Sequence, residues 1–327
     1  MNISDIARLA GVSPATVSRY LNNGYVSAEK KAIIKKVIDE TGYSPLASAQ
    51  SLRQRRNRVI GVIVPKLSSE SISRVVEGIS LGLSDSGYHL FLGNTGNDVA
   101  SELDYLALFQ NNFVDGVIFI ATEITPRHRR LFNQYTKPLV VVGQLAEGMP
   151  SVYHDDEGAA YAVVDHMIAQ GSRRIAFLGV KSGDAAAGLG RHEGYRRALL
   201  DHGLEPEPTL YQEVEFSIAD GYRGALRLLD GGQSFDGLFC ATDNIAIGAM
   251  NCLHYSKLSV PGDVRVAGVG DSMVSKALLP ALTSVHLYYQ TSGQEAAQMV
   301  MGHLERGQSV NKQLRLGFEL CERESTM

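Results

Sequence analysis

The sequence predicts an α/β protein: a small helical unit at the N-terminus, then a larger body built on two open, mostly parallel sheets. Three observations lead there. Residues 1–45 show helical periodicity in short pieces, whereas from Val59 onward short apolar runs alternate with amphipathic helices, the pattern of βαβ units. Between them, residues 46–58 form a small, polar, Arg-rich stretch ending ASAQSLRQRRNR, with too few apolar groups to hold a core of its own. The length of 327 residues also exceeds one average domain.

The elements follow in order. Ser4 is a plausible N-cap for a first helix carrying Ile6, Ala7, Leu9 and Ala10. Gly11 breaks it at a tight turn. Ser13 caps a second helix with Pro14 at its first position. In that helix Val17 and Leu21 lie four apart and face inward, which leaves Ala15, Thr16, Arg19 and Asn22 outward. Helix, glycine turn, helix is the geometry that lays a second helix in the DNA major groove. A third helix is expected from about Ala28 to Thr41, with Ile33, Ile34, Val37 and Ile38 as its apolar stripe.

In the body the apolar runs are VIGVIVP (59–65), HLFLGN (89–94), VDGVIFIA (114–121), PLVVVG (138–143), RIAFLGV (174–180), FDGLFCA (235–241) and VRVAGVG (264–270). Their continuous Val/Ile character fits strands buried on both faces. Two sheets side by side suit this length better than one very wide sheet.

Charge is distributed unevenly. The chain carries −4 overall, yet residues 1–58 hold ten Lys/Arg against four acids, so that a basic end sits on an acidic body. A polyanionic partner for that end alone is the implied consequence. No apolar run is long enough to span a bilayer, and MNISDIARLAGVS lacks the basic start and apolar core of a secretory signal. A cytoplasmic protein is expected. Cys240, Cys252 and Cys321 form no metal-spacing pattern and read as reduced thiols, and no cofactor is called for. The chain contains no GxGxxG after a strand, no Walker string and no G-x-S-x-G elbow. The nine histidines are scattered, so no catalytic residue is assigned and an enzyme is not expected.

The string DIARLAGVSPATVSRYLN resembles the LacI-family headpiece, and GYSPLASAQSLR is similar to that family's hinge. The resemblance extends over essentially the whole chain. It implies a homodimer that grips double-stranded operator DNA, with Ser13, Pro14, Ala15, Thr16, Ser18, Arg19 and Asn22 on the DNA side of the headpiece. Arg19 can bond a guanine edge at two points, while Ser13, Thr16 and Ser18 would bond phosphates and set register. In the hinge the resemblance implies DNA contacts for Ala49, Leu52 and Arg53, with Leu52 wedged into the minor groove. Leu46 departs from the asparagine frequent there.

The same resemblance implies a periplasmic-binding-protein-like body of two Rossmann-like lobes: a headpiece over 1–45, a hinge over 46–58, and an effector-binding and dimerisation domain over 59–327. Within the last, lobe 1 is expected at about 59–156 and 285–318, and lobe 2 at about 157–284 and 319–327. A ligand in such a fold sits outside the carboxyl ends of the strands. The residues there are Lys66, Ser69 and Ser71 after the first strand, Gln144 after PLVVVG, Arg191 in GLGRHEGY, Phe216, Asp243 and Asp271. Arg191 aligns with the arginine that grips family effectors, and Phe216 with an aromatic platform. Gly270 holds the place of a usual effector aspartate, so that either Asp271 takes over or that contact is missing. Cations, amides, carboxylates and an aromatic face suit a sugar or sugar phosphate. The strings DDEGA, RHEGY, CATDNIAIGA and VGDS are closer to the trehalose-operon repressor branch than to the purine branch. A nucleoside or purine corepressor is the alternative effector. A solute-binding transport protein would share the body but have no use for Arg19 or Leu52. No leucine heptads follow the body, which leaves a dimer as the expected assembly.

Overall fold

The computed structural model describes residues 1–21, 24–43, 57–307 and 311–327. Asn22, Leu46, Ala49, Leu52 and Arg53 lie outside the described residues. The chain divides into two compact units, Met1–Asn57 and Arg58–Met327.

The first unit contains α1 (Ile3–Leu9), α2 (Pro14–Leu21) and α3 (Ala28–Thr41). Its first cap is Asn2, not Ser4. Asn2 Oδ1 accepts from the Asp5 amide at 3.0 Å, and Asp5 accepts in return from the Asn2 amide at 2.9 Å, a reciprocal box that starts the helix two residues earlier. Gly11 makes the turn at φ +62°, a value that strains any side chain with a Cβ. Ile6, Ala7, Ala10, Val17, Val26 and Ile34 form the core. Ile33, expected in the apolar stripe, is 41% exposed, because the neighbouring helices cover a narrower arc of α3 than the run of isoleucines suggests.

The second unit carries two six-stranded sheets. The first runs β11-β5-β4-β3-β1-β2, all parallel. Its strands are β1 (Val59–Val64), β2 (His89–Asn94), β3 (Gly116–Ile120), β4 (Leu139–Val142), β5 (Ser151–His154) and β11 (Gln313–Leu316). Helices α4 (Glu70–Leu83), α5 (Val99–Asn111), α6 (Pro126–Phe132) and α12 (Tyr289–Arg306) accompany it. The second sheet runs β12-β10-β9-β8-β6-β7. It comprises β6 (Ile175–Gly179), β7 (Tyr211–Glu213), β8 (Gly237–Cys240), β9 (Arg265–Val269), β10 (Thr283–Leu287) and β12 (Phe318–Cys321), of which β12 is antiparallel to β10. Helices α7 (Asp156–Ala169), α8 (Arg191–Asp201), α9 (Ile218–Asp230), α10 (Asp243–Tyr255) and α11 (Met273–Ala277) complete the second lobe.

Six of the seven apolar runs become strands with both faces covered: β1, β3, β4, β6, β8 and β9 are buried almost throughout. The seventh, HLFLGN, forms β2 at the edge of the first sheet and is largely exposed, because an edge strand has a neighbour on one side only. The chain crosses between lobes near His154–Asp156, at Tyr288 and at Gly317. The second crossing falls later than the expected Val285. Residues 283–287 belong to β10, paired with both β9 and β12, and Val285 and Leu287 are buried in the second core.

Glycines let the covering helices approach closely. A Cβ on Gly78 of α4 would lie 1.9 Å from the Gln290 carbonyl oxygen of α12, and one on Gly293 of α12 would lie 2.0 Å from that of Val75. The first lobe is thus built around a helix pair in backbone contact that joins a residue stretch before the second lobe to one after it.

Candidate functional site: an inter-lobe cleft and an exposed helix

A cleft of about 220 Å³ opens between the two sheets of the second unit, and its walls come from the residues that follow the strands. Sheet geometry accounts for the position: where strands of parallel sheets end, loops diverge and leave a crevice.

Arg191 is the deepest cation there, only 4% exposed. The π-helical turn Ala185–Gly190 delivers it, a motif that recurs at functional sites. Asp184 caps that turn, accepting from the Ala186 and Ala187 amides at 3.0 and 2.9 Å. The Arg191 guanidinium is largely spoken for. Its Nε and Nη2 lie 2.9 and 2.7 Å from Asp156 Oδ1, and its Nη1 donates to the Ala241 carbonyl. Burial is the largest influence and opposes its charge, but Asp156, Tyr289 and Asp184 together hold the pKa above the usual arginine value. Burial also raises the Asp184 pKa to about 6, against the pull of its capping amides and of Arg191.

Lys66, Ser69, Ser71, Phe216 and Asp243 line the same cleft. Lys66 is exposed at the end of β1. Ser69 and Ser71 bond each other through their hydroxyls at 2.9 Å, and Phe216 is half-buried after β7. Asp243 begins α10, and both of its oxygens are engaged. Ser272 N–H donates to Oδ2 at 2.7 Å and the Ser284 hydroxyl to Oδ1 at 2.6 Å. Its carboxylate therefore ties the start of α10 to the loop after β9 and to the start of β10.

Two expected residues are not brought to the cleft. Gln144 is buried with its amide donating to the Thr122 carbonyl, and the lining is left to Gly143. Asp271, at φ +46°, turns its carboxylate away toward Arg323, Lys276 (2.8 Å) and His286 (3.1 Å). Burial would raise its pKa, but those three cationic or donor groups together hold it below the ordinary value. The contact left open at Gly270 is thus not taken over by Asp271: Gly270 itself lines the cleft, and its carbonyl accepts from Arg74 at 3.1 Å.

Residues that sequence reasoning missed complete the arrangement. Arg74 reaches from α4 in the first lobe to the Gly270 and Asp271 carbonyls of the second, and Glu70 accepts from both Arg74 and the Met273 amide. This pair bridges the cleft mouth. Asp156, His154 and Tyr289 lie at the crossings between lobes. Asp156 had a sequence signal, an acidic pair directly after a strand, but nothing local pairs it with an arginine 35 residues on.

In the first unit α2 presents Ser13, Pro14, Ala15 and Arg19 to solvent, with Thr16 and Ser18 half-buried beside them. Arg19 has no ion-pair partner among the described residues. Among the described residues no cluster of His, Cys, Asp or Glu could hold a metal ion, and no helix is long and apolar enough to cross a membrane.

A basic three-helix unit with a solvent-facing second helix, on a two-lobed body with a central cleft, defines a ligand-responsive DNA-binding regulator. Residues 2–45 match the family of bacterial regulatory proteins of the lacI type, and residues 164–326 match the periplasmic binding protein-like domain. The chain is 33% identical to the sucrose operon repressor of Staphylococcus xylosus, over 90% of this chain and 91% of the relative. It is 30% identical to the HTH-type transcriptional regulator TreR of Escherichia coli, over 91% of each. A solved complex of the transcriptional regulator CelR with cellobiose superposes with a TM-score of 0.77 at 27% identity, covering 99% of both chains. The chain belongs to the LacI family of transcriptional regulators. Its relatives are regulators of transcription, not enzymes.

Proposed function

We propose that this regulator is a cytoplasmic homodimeric repressor of a sugar-utilisation operon, controlled by a sugar or sugar phosphate bound between its lobes. The observation that carries the reading is the cleft itself. Serine hydroxyls, backbone groups, buried charged groups and the face of Phe216 surround one cavity, a mixture that matches the hydroxyl edges and C–H faces of a saccharide. The relatives named as the sucrose operon repressor and a ribose operon repressor, and the neighbour holding cellobiose, support that class.

In this reading Ser13, Thr16 and Ser18 hold phosphates and Pro14, Ala15 and Arg19 face base edges, while Lys66, Ser69, Ser71, Arg191, Phe216 and Asp243 surround the effector. Self-association is supported by the exposed apolar side chains of the second lobe, Met273 (74%), Val274 (51%) and Leu279 (98%), which a monomer would leave in water at a cost. Effector binding shifts the lobes, and through them the two headpieces of the dimer, so that DNA and effector affinities are coupled reciprocally.

The test has two readouts on the purified full chain. A thermal-shift screen against sugars and sugar phosphates reports binding, since a ligand held by the folded state raises the melting temperature by mass action. Fluorescence anisotropy with labelled operator then reports release. A melting-temperature rise with nucleosides or amino acids only would keep the regulator and overturn its effector class.

A further inference from the structure

The charges of the cleft discriminate between its two candidate ligand classes, a sugar and its phosphate. Arg191 is already neutralised by Asp156. Arg74 is held by Glu70 and by two carbonyls of the opposite lobe. Asp184 and Asp243 add further carboxylates to the lining. Lys66, exposed at the mouth, is the one lining cation without an ion-pair partner among the described residues. A phosphate would therefore leave water for a cleft whose buried cations are engaged and whose acids outnumber them. Placing an unpaired charge there is costly.

A second observation supplies a contact for a ligand hydroxyl. His154 ends β5 at the first crossing, lines the cleft and is only 7% exposed. Its Nε2 has no hydrogen-bond partner among the described residues. The ring packs edge-on against Tyr289, with centroids 5.1 Å apart, and hydrogen-bonds the Tyr288 backbone. Burial chiefly, opposed by Asp156, holds its pKa below the ordinary histidine value, so the ring is neutral at pH 7. A neutral imidazole that donates one nitrogen's proton to a carbonyl keeps the other nitrogen as an acceptor. An orphaned buried acceptor costs free energy until something donates to it. A ligand hydroxyl can donate, so the ring selects for a hydroxylated ligand, while the paired charges around it select against the phosphate.

We infer that the cleft takes an uncharged, polyhydroxylated molecule, one hydroxyl of which donates to His154 Nε2. The inference rests on the sugar-cleft reading above and narrows it to the unphosphorylated class. His154 becomes the contact that requires a hydroxyl donor, and the engaged arginines become the reason that phosphates are rejected.

The experiment is calorimetric titration of the full-length protein with matched pairs: glucose and glucose 6-phosphate, trehalose and trehalose 6-phosphate, sucrose and sucrose 6-phosphate. The expected result is binding by a neutral member, with its phosphate at least roughly tenfold weaker. H154F should weaken the neutral ligand by roughly 3- to 10-fold, the loss of one hydrogen bond. H154Q, which keeps an acceptor oxygen, should recover most of that loss at a similar melting temperature. A phosphorylated member binding more tightly than its parent would overturn the inference and leave the sugar reading standing. Failure of every pair, with another metabolite class binding, would overturn that reading itself. Full affinity in H154F, or equal loss in H154F and H154Q, would remove His154 from the contact.

Discussion

Replacing Arg191 by alanine probes the deepest interaction of the cleft. The guanidinium is 4% exposed and Asp156 is 6% exposed. Deleting the arginine leaves a buried carboxylate without its counter-charge and the Ala241 carbonyl without its side-chain donor. Breaking a buried pair from one side costs about 3–5 kcal/mol. At roughly 2 °C per kcal/mol for a unit of this size, the melting temperature of the body should fall by about 6–10 °C. Asp156→Leu alone should cost a similar amount, because it strands the arginine. The double variant R191M/D156L removes both charges and fills the space, and should recover most of the loss, since apolar replacements of buried pairs are often neutral or better. A double-mutant cycle by thermal and urea unfolding measures the coupling, expected at about 2 kcal/mol or more. Additive single and double effects, or an R191A melting point within about 2 °C of wild type, would refute the claim that Arg191 is a buried, engaged charge. Below its melting temperature R191A should still bind operator but lose its response to effector, which operator-release titrations can check.

Other expectations follow from single contacts. Arg19→Ala should cost roughly 1–3 kcal/mol at one base pair and flatten the preference among operator variants, read by anisotropy with a substituted operator panel. An unchanged preference would exclude base reading by Arg19. Arg74→Ala removes the link from α4 to the Gly270 and Asp271 carbonyls and should speed hydrogen exchange of the Met273 amide, which Glu70 holds, by roughly tenfold. Glu102 lies 3.2 Å from His128 Nε2, with both side chains fully buried behind β3. The Thr125 amide donates to the other ring nitrogen, which leaves the ring proton on Nε2, facing the carboxylate without a well-aligned hydrogen bond. Glu102→Ala should destabilise by about 2–4 kcal/mol, chiefly through the cavity it leaves, measured by urea unfolding. Asp184 supplies a pH signature. Its folded pKa of about 6 lies above the ordinary carboxylate value, so its contribution to stability is fully present at low pH and lost as pH rises through about 6. Asp184→Asn keeps a capping side chain and should raise the melting temperature more at about pH 7 than at about pH 4.5; an equal rise at both would contradict the assignment.

Much of this molecule is visible locally. Alternation of buried strands with amphipathic helices identifies parallel sheets because the residue pattern and the burial share one period. The headpiece helices announce themselves through Gly11 and Pro14, whose backbone demands are intrinsic to the residue. What resists local reading has a common cause. Ser4 and Asn2 are both competent caps, and only the reciprocal bonds with Asp5 decide between them. Ile33 is apolar, yet exposed, because burial depends on how wide a face the neighbouring helices cover. The strand at 283–287 is short and mixed, and its sheet is set by partners at 267–269 and 318–321.

The cleft divides along the same line. Arg191, Phe216, Asp243 and Lys66 could be nominated from sequence because they follow strands, and strand ends converge in open α/β sheets. Gln144 and Asp271 satisfy the same rule and still turn away, since each finds a partner that only tertiary proximity supplies: the Thr122 carbonyl for one and Arg323 with Lys276 for the other. Family, fold class and the outward face of the recognition helix were determined by the chain alone, through periodicity and residue types that act within a few positions. Which charges are already paired, which carboxylate titrates near 6, and which ring nitrogen is left unsatisfied at the crossing were decided by the fold, because burial and long-range pairing exist only once the lobes have closed on each other.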